Sequence, residues 1–189
     1  MASRSSLRKL RRAFFRRPAK ELARDLIGTI LVRRFRGRTL RARIVETEAY
    51  VGSHDLACHA SKGRTGRTEI LFGPAGRAYV YLIYGMYDML NIVASKKEDP
   101  QCVLIRGAIP LDDWKSDLSG PGKLTRALRI TRAQNGLDLT GSQLFLQEDR
   151  AFQPQIVATK RIGIDYAQEW TDALLRFVDA QRGIRSDRR

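Results

Sequence analysis

Residues 79–94 read YVYLIYGMYDMLNIVA, two runs rich in tyrosine and branched aliphatics parted by Gly85-Met86. Two extended runs joined by so short a break predict an antiparallel β-hairpin with a tight turn. The rest of the chain supplies strands to set beside it. TILVRRF (29–35) and RTLRARIVETEAY (38–50), joined around Arg36-Gly37, read as a second pair. CVLIRGAI (102–109), QLFLQ (143–147), QIVATKRIGI (155–164) and LLRFV (174–178) read as further strands. Helices are few. After Pro18, AKELARDLIG places Leu22, Leu26 and Ile27 on one side and stops at Gly28. KLTRALRIT (123–131) reads as a helix following Ser119-Gly120-Pro121-Gly122, and the Gly-rich, polar stretch 51–77 reads as loop. There is no internal repeat and no linker rich in Pro, Gly or Ser, so the 189 residues predict one α+β domain in which strands dominate.

Composition narrows the class. The most apolar stretch, Tyr79 to Ala94, is interrupted by Asp88 and Asn91, so no transmembrane helix is expected. Two cysteines cannot build a disulfide framework and fit a reducing compartment. The formal charge is +15, of which residues 1–12 carry +5 and residues 182–189 carry +3. The body, 13–181, is thus basic in its own right, between tails read as a basic N-terminal 1–12 and a basic C-terminal 182–189. Such a balance points to a polyanionic partner, nucleic acid first, although a general solubility charge also accounts for part of it. The acid-free N-terminus suits an organellar leader and a phosphate-tracking arm equally well.

Three constellations carry chemistry. In RIVETEAY (43–50), strand alternation puts Glu46, Glu48 and Tyr50 on one face. A solvated strand face offsetting nearby arginines would explain the acids. So would a carboxylate held in an aromatic pocket on a basic surface, where a general base acting on water is the natural task. In YVYLIYGMY, Tyr79 and Tyr81 share a strand face and Tyr84 stands beside the turn. These rings fit either an aromatic sheet core or, at an exposed tip, a group that stacks on a base or wedges between base steps. His54, Asp55, Cys58 and His59 are ligand types in close succession, but their spacing matches no usual zinc pattern and no second Cys/His pair follows. No Walker A loop and no zinc-deaminase signature is present. Lys123, at the start of a predicted helix, suits either a phosphate contact or an ordinary capping turn.

LARDLIGTILVRR, RIVETEAYVG, ACHASKGRT, YVYLIYGMYDMLNIV, CVLIRGAIP, SGPGKLTRAL and RIGI, followed by EW and LLRFV, occur in that order from about Ala13 to Val178. Together they resemble the alkyladenine (3-methyladenine) DNA glycosylase family, the purine-excising type of vertebrates and many bacteria. The resemblance implies a single domain around a curved, mostly antiparallel sheet with short helices and a protruding tyrosine hairpin. It implies a monofunctional enzyme of DNA repair that flips out alkylated or deaminated purines, among them 3-methyladenine, 7-methylguanine, hypoxanthine and ethenoadenine, and leaves an abasic site.

Residue by residue, Glu48 matches the carboxylate that activates water, Arg106 an arginine that helps hold it, and the backbone of Ile162 the water's remaining partner. Tyr50, His59 and Tyr81 match residues that sandwich the extruded base, and Asn91 the side chain that crowds the exocyclic amine of guanine. Tyr84 matches the wedge, Met86 and Tyr87 follow it along the DNA backbone, and Arg64 and Lys123 match phosphate contacts. Glu46 acquires no role. No metal or cofactor is implied; the expected partner is damaged double-stranded DNA, met by a monomer inside the cell and away from membranes. Two departures stand out: Cys58 replaces a small residue of the vertebrate pattern, and the connection from Pro110 to Ser119 is shorter. A nucleic-acid-binding module without catalysis would share the charge and the tyrosines but leave Glu48 and Arg106 without a task.

Overall fold

The computed structural model describes residues 7–182. Nine strands run in chain order as β1 (Arg8–Lys9), β2 (Ile30–Phe35), β3 (Arg38–Tyr50), β4 (Ala78–Ile83), β5 (Tyr87–Ala94), β6 (Gln101–Leu111), β7 (Leu144–Glu148), β8 (Ile156–Thr159) and β9 (Arg176–Asp179). Three short helices accompany them: α1 (Arg12–Phe15), α2 (Ala19–Leu26) and α3 (Pro121–Ala127). Every strand pairing is antiparallel, in the order β1-β7-β2-β3-β6-β5-β4, with β9 pairing β3 and β8 pairing β9. The expected α+β architecture is therefore observed. Part of the basic N-terminal segment belongs to it, since Arg8–Lys9 pairs β7 and Leu10 is buried in the core. Residues 1–6 of that segment and 183–189 lie outside the described residues.

The 13-residue strand β3 organises the sheet. On one side its first half pairs β2 and its second half pairs β9, while β6 runs along the other. Helix α2 packs over this junction because Ala19, Leu22, Ala23 and Leu26 recur at helical spacing and are all buried. The buried Thr47 hydroxyl donates to the Ala23 carbonyl at 2.8 Å, tying helix to strand. Arg36 and Gly37 both take left-handed backbone (φ 47° and 74°), the turn chemistry that closes the tight β2–β3 hairpin.

Strand β4 is a sheet edge, and its base is covered by a loop. Ala78 exchanges backbone hydrogen bonds with Gly136 and Leu137 (2.8 and 2.9 Å), and the Val80 N–H donates to the Asn135 side chain at 2.9 Å. Beyond Val80 the β4–β5 hairpin runs on toward solvent. Its connection is three residues long, Tyr84-Gly85-Met86, one more than the sequence suggested, because Ile83 pairs directly with Tyr87. Tyr84 and Gly85 both adopt positive φ (51° and 68°). For a bulky tyrosine that conformation is uncommon and costs about 1–2 kcal/mol, but it ejects the ring from the sheet.

Candidate active site

The second half of β3 throws Glu46, Glu48 and Tyr50 to one face, as alternation predicts. This face is not solvated: Glu46 is 2% exposed and Glu48 0%. Both carboxylates meet Arg106, whose Nε lies 3.1 Å from Glu46 Oε1 and 3.4 Å from Glu48 Oε1. The register between β3 and β6 explains that reach. Pairing steps from Ile44–Ala108 to Glu46–Gly107 and then to Thr47–Ile105, so Val45 and Arg106 are each left without a partner. Such bulges re-aim a side chain, here the arginine toward the two acids. Burial raises the pKa of the Glu46 carboxyl, against the pull of Arg106 and Arg176. For Arg106 burial acts downward, but the Glu48 and Glu46 charges more than offset it and its pKa is raised.

Two more donors serve Glu48. The Tyr50 hydroxyl donates to Oε2 at 2.9 Å, and the Ile162 backbone N–H donates to Oε1 at 2.9 Å. Burial, then the nearby Glu48 charge, raises the Tyr50 pKa well above its ordinary value, so the hydroxyl keeps its proton. Ile162 arrives by a route the sequence misread. Strand β8 ends at Thr159, and residues 160–164, expected as its continuation, form a loop. Gly163 takes φ 72°, and Arg161 turns inward to Asp55 with Nη–O distances of 2.6 and 2.9 Å, both side chains fully buried. Arg161 also donates to the Ala49 carbonyl at 2.9 Å and lies 4.9 Å from the Tyr50 ring centre. Alternation in RIGI imitates a strand; the buried ion pair overrides it.

In front of these groups lies a cavity of about 110 Å³ whose lining includes Tyr50, His59, Tyr81, Asn91, Arg106 and Ile162. Glu48 sits immediately behind the lining, touching three of its members. One wall is a cluster of His59, Tyr79 and Tyr81 in edge-on and tilted contact, with ring centres 4.5 Å apart for His59–Tyr81 and 5.2 Å for Tyr79–Tyr81. His59 Nδ1 is hydrogen-bonded to the Tyr79 hydroxyl at 2.8 Å. Asn91, 2% exposed, directs Nδ2 to the Tyr79 carbonyl at 3.4 Å.

Burial, with the nearby Arg67 charge, lowers the His59 pKa from 6.5 to about 4. This aromatic wall is thus uncharged at neutral pH. The unfolded chain binds a proton near pH 6.5 that the folded form refuses until about 4, so this contribution to stability is complete above 6.5 and lost as pH falls toward 4. His59→Gln is expected to narrow the stability difference between urea melts at about pH 7 and about pH 5.

At the cavity mouth the hairpin exposes Tyr84 (82%), Met86 (69%) and Tyr87 (41%). Tyr87 roots the hairpin on α3: a Cβ at Gly122 would come within 2.9 Å of its ring. Arg64 and Lys123 stand outside the cavity lining. Arg64 is bound to Glu69 and Glu98 (2.8 and 2.7 Å), and Lys123 to Asp117 at 2.8 Å. The four ligand-type residues 54–59 diverge: His54 packs on Trp170, Asp55 takes Arg161, His59 joins the aromatic wall, and Cys58 is buried. Sequence reasoning overlooked Tyr79 as a partner of His59, Arg161 as the anchor of Ile162, and Tyr166, 67% exposed on the cavity rim.

A model of the family described as methylpurine-DNA glycosylase matches residues 13–183. The chain belongs to that family. Relatives of this glycosylase are named "Putative 3-methyladenine DNA glycosylase". One from Methanocella arvoryzae is 49% identical over 185 residues, spanning 90% of this chain and 92% of the relative. One from Legionella pneumophila (strain Lens) is 46% identical over 174 residues, spanning 90% and 94%. One from Anaeromyxobacter sp. (strain Fw109-5) is 47% identical over 171 residues, spanning 90% and 88%. As a methylpurine-DNA glycosylase the protein is a hydrolase of N-glycosyl bonds that acts on DNA in the repair of alkylated purines. No helix among the described residues is long and apolar enough to cross a membrane.

Proposed function

We propose that the protein, acting as a monomer on double-stranded DNA inside the cell, turns a damaged purine into the aromatic cavity and hydrolyses its glycosidic bond with water activated by Glu48. The observation that carries this reading is the arrangement of donors around Glu48, which leaves Oε2 one place open. Oε1 accepts from the Ile162 N–H and is ion-paired with Arg106, whereas among the described residues Oε2 accepts from Tyr50 alone. A carboxylate oxygen has room for two donors, so Oε2 retains one place for water. Water attacks C1′ and its proton passes to Glu48. The C1′–N bond breaks with its electron pair leaving on the base, and the negative carboxylate stabilises the oxocarbenium character of the sugar. The products are a free purine and an abasic site. No lysine lines the cavity, which supports a monofunctional glycosylase over a lyase that needs an amine nucleophile.

The cavity suits its guests. Purines alkylated at N3 or N7 are cationic, and the neutral aromatic wall favours them by roughly 0.5–2 kcal/mol. Hypoxanthine and ethenoadenine, which are neutral, rely on shape and hydrogen bonds, with Asn91 crowding the exocyclic amine of guanine. Arg64 and Lys123 exchange their carboxylate partners for DNA phosphates on binding. Tyr84 fills the gap left in the stack and offsets part of the few kcal/mol that flipping costs.

The direct test is single-turnover incubation of duplexes bearing one hypoxanthine or one ethenoadenine, followed by alkali, beside an assay for 3-methyladenine release. Strand cleavage that depends on alkali, at the lesion alone, is expected; blanks on all three substrates would leave a binding module. Tyr84→Ala is expected to slow flipping and to erode discrimination between lesion and undamaged duplex. Stopped-flow traces with fluorescent ethenoadenine check this, and traces matching wild type would remove the wedge.

A further inference from the structure

On the other side of the hairpin from the aromatic cavity lies a second one, of about 490 Å³. Met86 and Tyr87 contribute to its wall, and Arg33, Arg126 and Arg129 line it together with Asp88. Arg33, on β2, is 2% exposed and has no carboxylate partner among the described residues. Its Nη1 donates to the Arg34 carbonyl at 3.2 Å and its Nη2 to the Arg129 carbonyl at 3.4 Å, both long, while Nε has no partner. A buried guanidinium so thinly matched is costly by itself and favours an anion beside it. Arg126 and Arg129 are exposed and likewise form no ion pair among the described residues. Asp88, the acid in the lining, faces Arg132 at 3.4 Å, so the groove stays strongly positive.

We propose that this groove binds a backbone phosphate of the DNA duplex, on the opposite side of the hairpin from the extruded base, through Arg33, Arg126 and Arg129. The inference rests on the wedge reading of Tyr84. The hairpin lies between the two cavities: Ile83 and Met89 line the first, and Asp88, which alternates with Met89 along β5, lines the second with Met86. A duplex parted at Tyr84 with its base in the first cavity carries its backbone onward across the second. That continuity favours a DNA phosphodiester over an acidic peptide as the occupant.

The test uses the full chain with R126Q/R129Q, two exposed positions that do not line the aromatic cavity. Binding of a lesion duplex is followed by fluorescence anisotropy across a salt series. The double variant is expected to bind roughly tenfold more weakly near physiological salt, with a salt slope shallower by about 1 to 2. Shortening the duplex arm on one side of the lesion should weaken wild type and leave the double variant unchanged. K20Q/R24Q, on α2, where no residue lines either cavity, is the matched charge control and should behave as wild type. A double variant that keeps the wild-type slope, affinity and arm dependence would overturn the proposal and pass the groove to an acidic peptide. Wild type that neither binds nor excises would instead overturn the glycosylase mechanism, and the groove with it.

Discussion

Glu48→Gln is expected to lower single-turnover excision by at least about 10²-fold, the usual contribution of a positioned general base, while lesion-duplex binding persists. The hydrogen-bond pattern explains why this variant separates chemistry from folding. An amide can keep its oxygen toward Ile162 N–H and Arg106 and turn its NH₂ to the Tyr50 oxygen, which switches from donor to acceptor. Shape and neighbours survive; the ability to take a proton from water does not. Glu48→Ala is a poorer probe, because it leaves Arg106 with Glu46 alone and takes the acceptor from the Ile162 N–H. Excision by Glu48→Gln at the wild-type rate, measured with enzyme in excess over a hypoxanthine duplex, would remove Glu48 from the mechanism.

The second large effect is expected at the buried ion pair behind the cavity. Asp55→Ala removes one partner of a fully buried ion pair and should cost about 3–5 kcal/mol, because Arg161 is left charged and unmatched. Urea melts measure that loss. The same variant should also slow excision in conditions where it remains folded, since Arg161 holds the loop that delivers the Ile162 N–H to Glu48. Arg161→Met in the Asp55→Ala background is expected to recover stability, having removed the stranded charge, without recovering the rate. Recovery of both would show that the loop finds its place without the pair.

These two predictions differ in how far they could be read from the chain itself. Glu48 and Tyr50 are legible in ETEAY, since a period of two puts them on one face wherever the strand lies. The tyrosine hairpin is legible for the same reason, its alternation and its break being local. The Asp55–Arg161 pair joins residues 106 apart, and no periodicity records it. Asp55 stood in view within a cluster whose ligand types suggested metal, and its true partner was hidden in a run that resembles a strand. The aim of Arg106 was equally out of reach, because a bulge is a relation between two strands and belongs to neither. Resemblance to a family supplied a role for Arg106 but none for Asp55 or Arg161; local chemistry supplied the scaffold.

The loop that covers the base of β4 has a mechanical consequence. Its last hydrogen bond falls at Val80, and Tyr84 stands four residues further out, roughly 13 Å at the rise of an extended strand. The hairpin is a cantilever clamped at its root by Asn135 and braced under Tyr87 by α3. If Tyr84 acts as the proposed wedge, stiffness at the root governs whether load on the tip parts a base stack or bends the lever, and the Asn135 side chain supplies part of that stiffness.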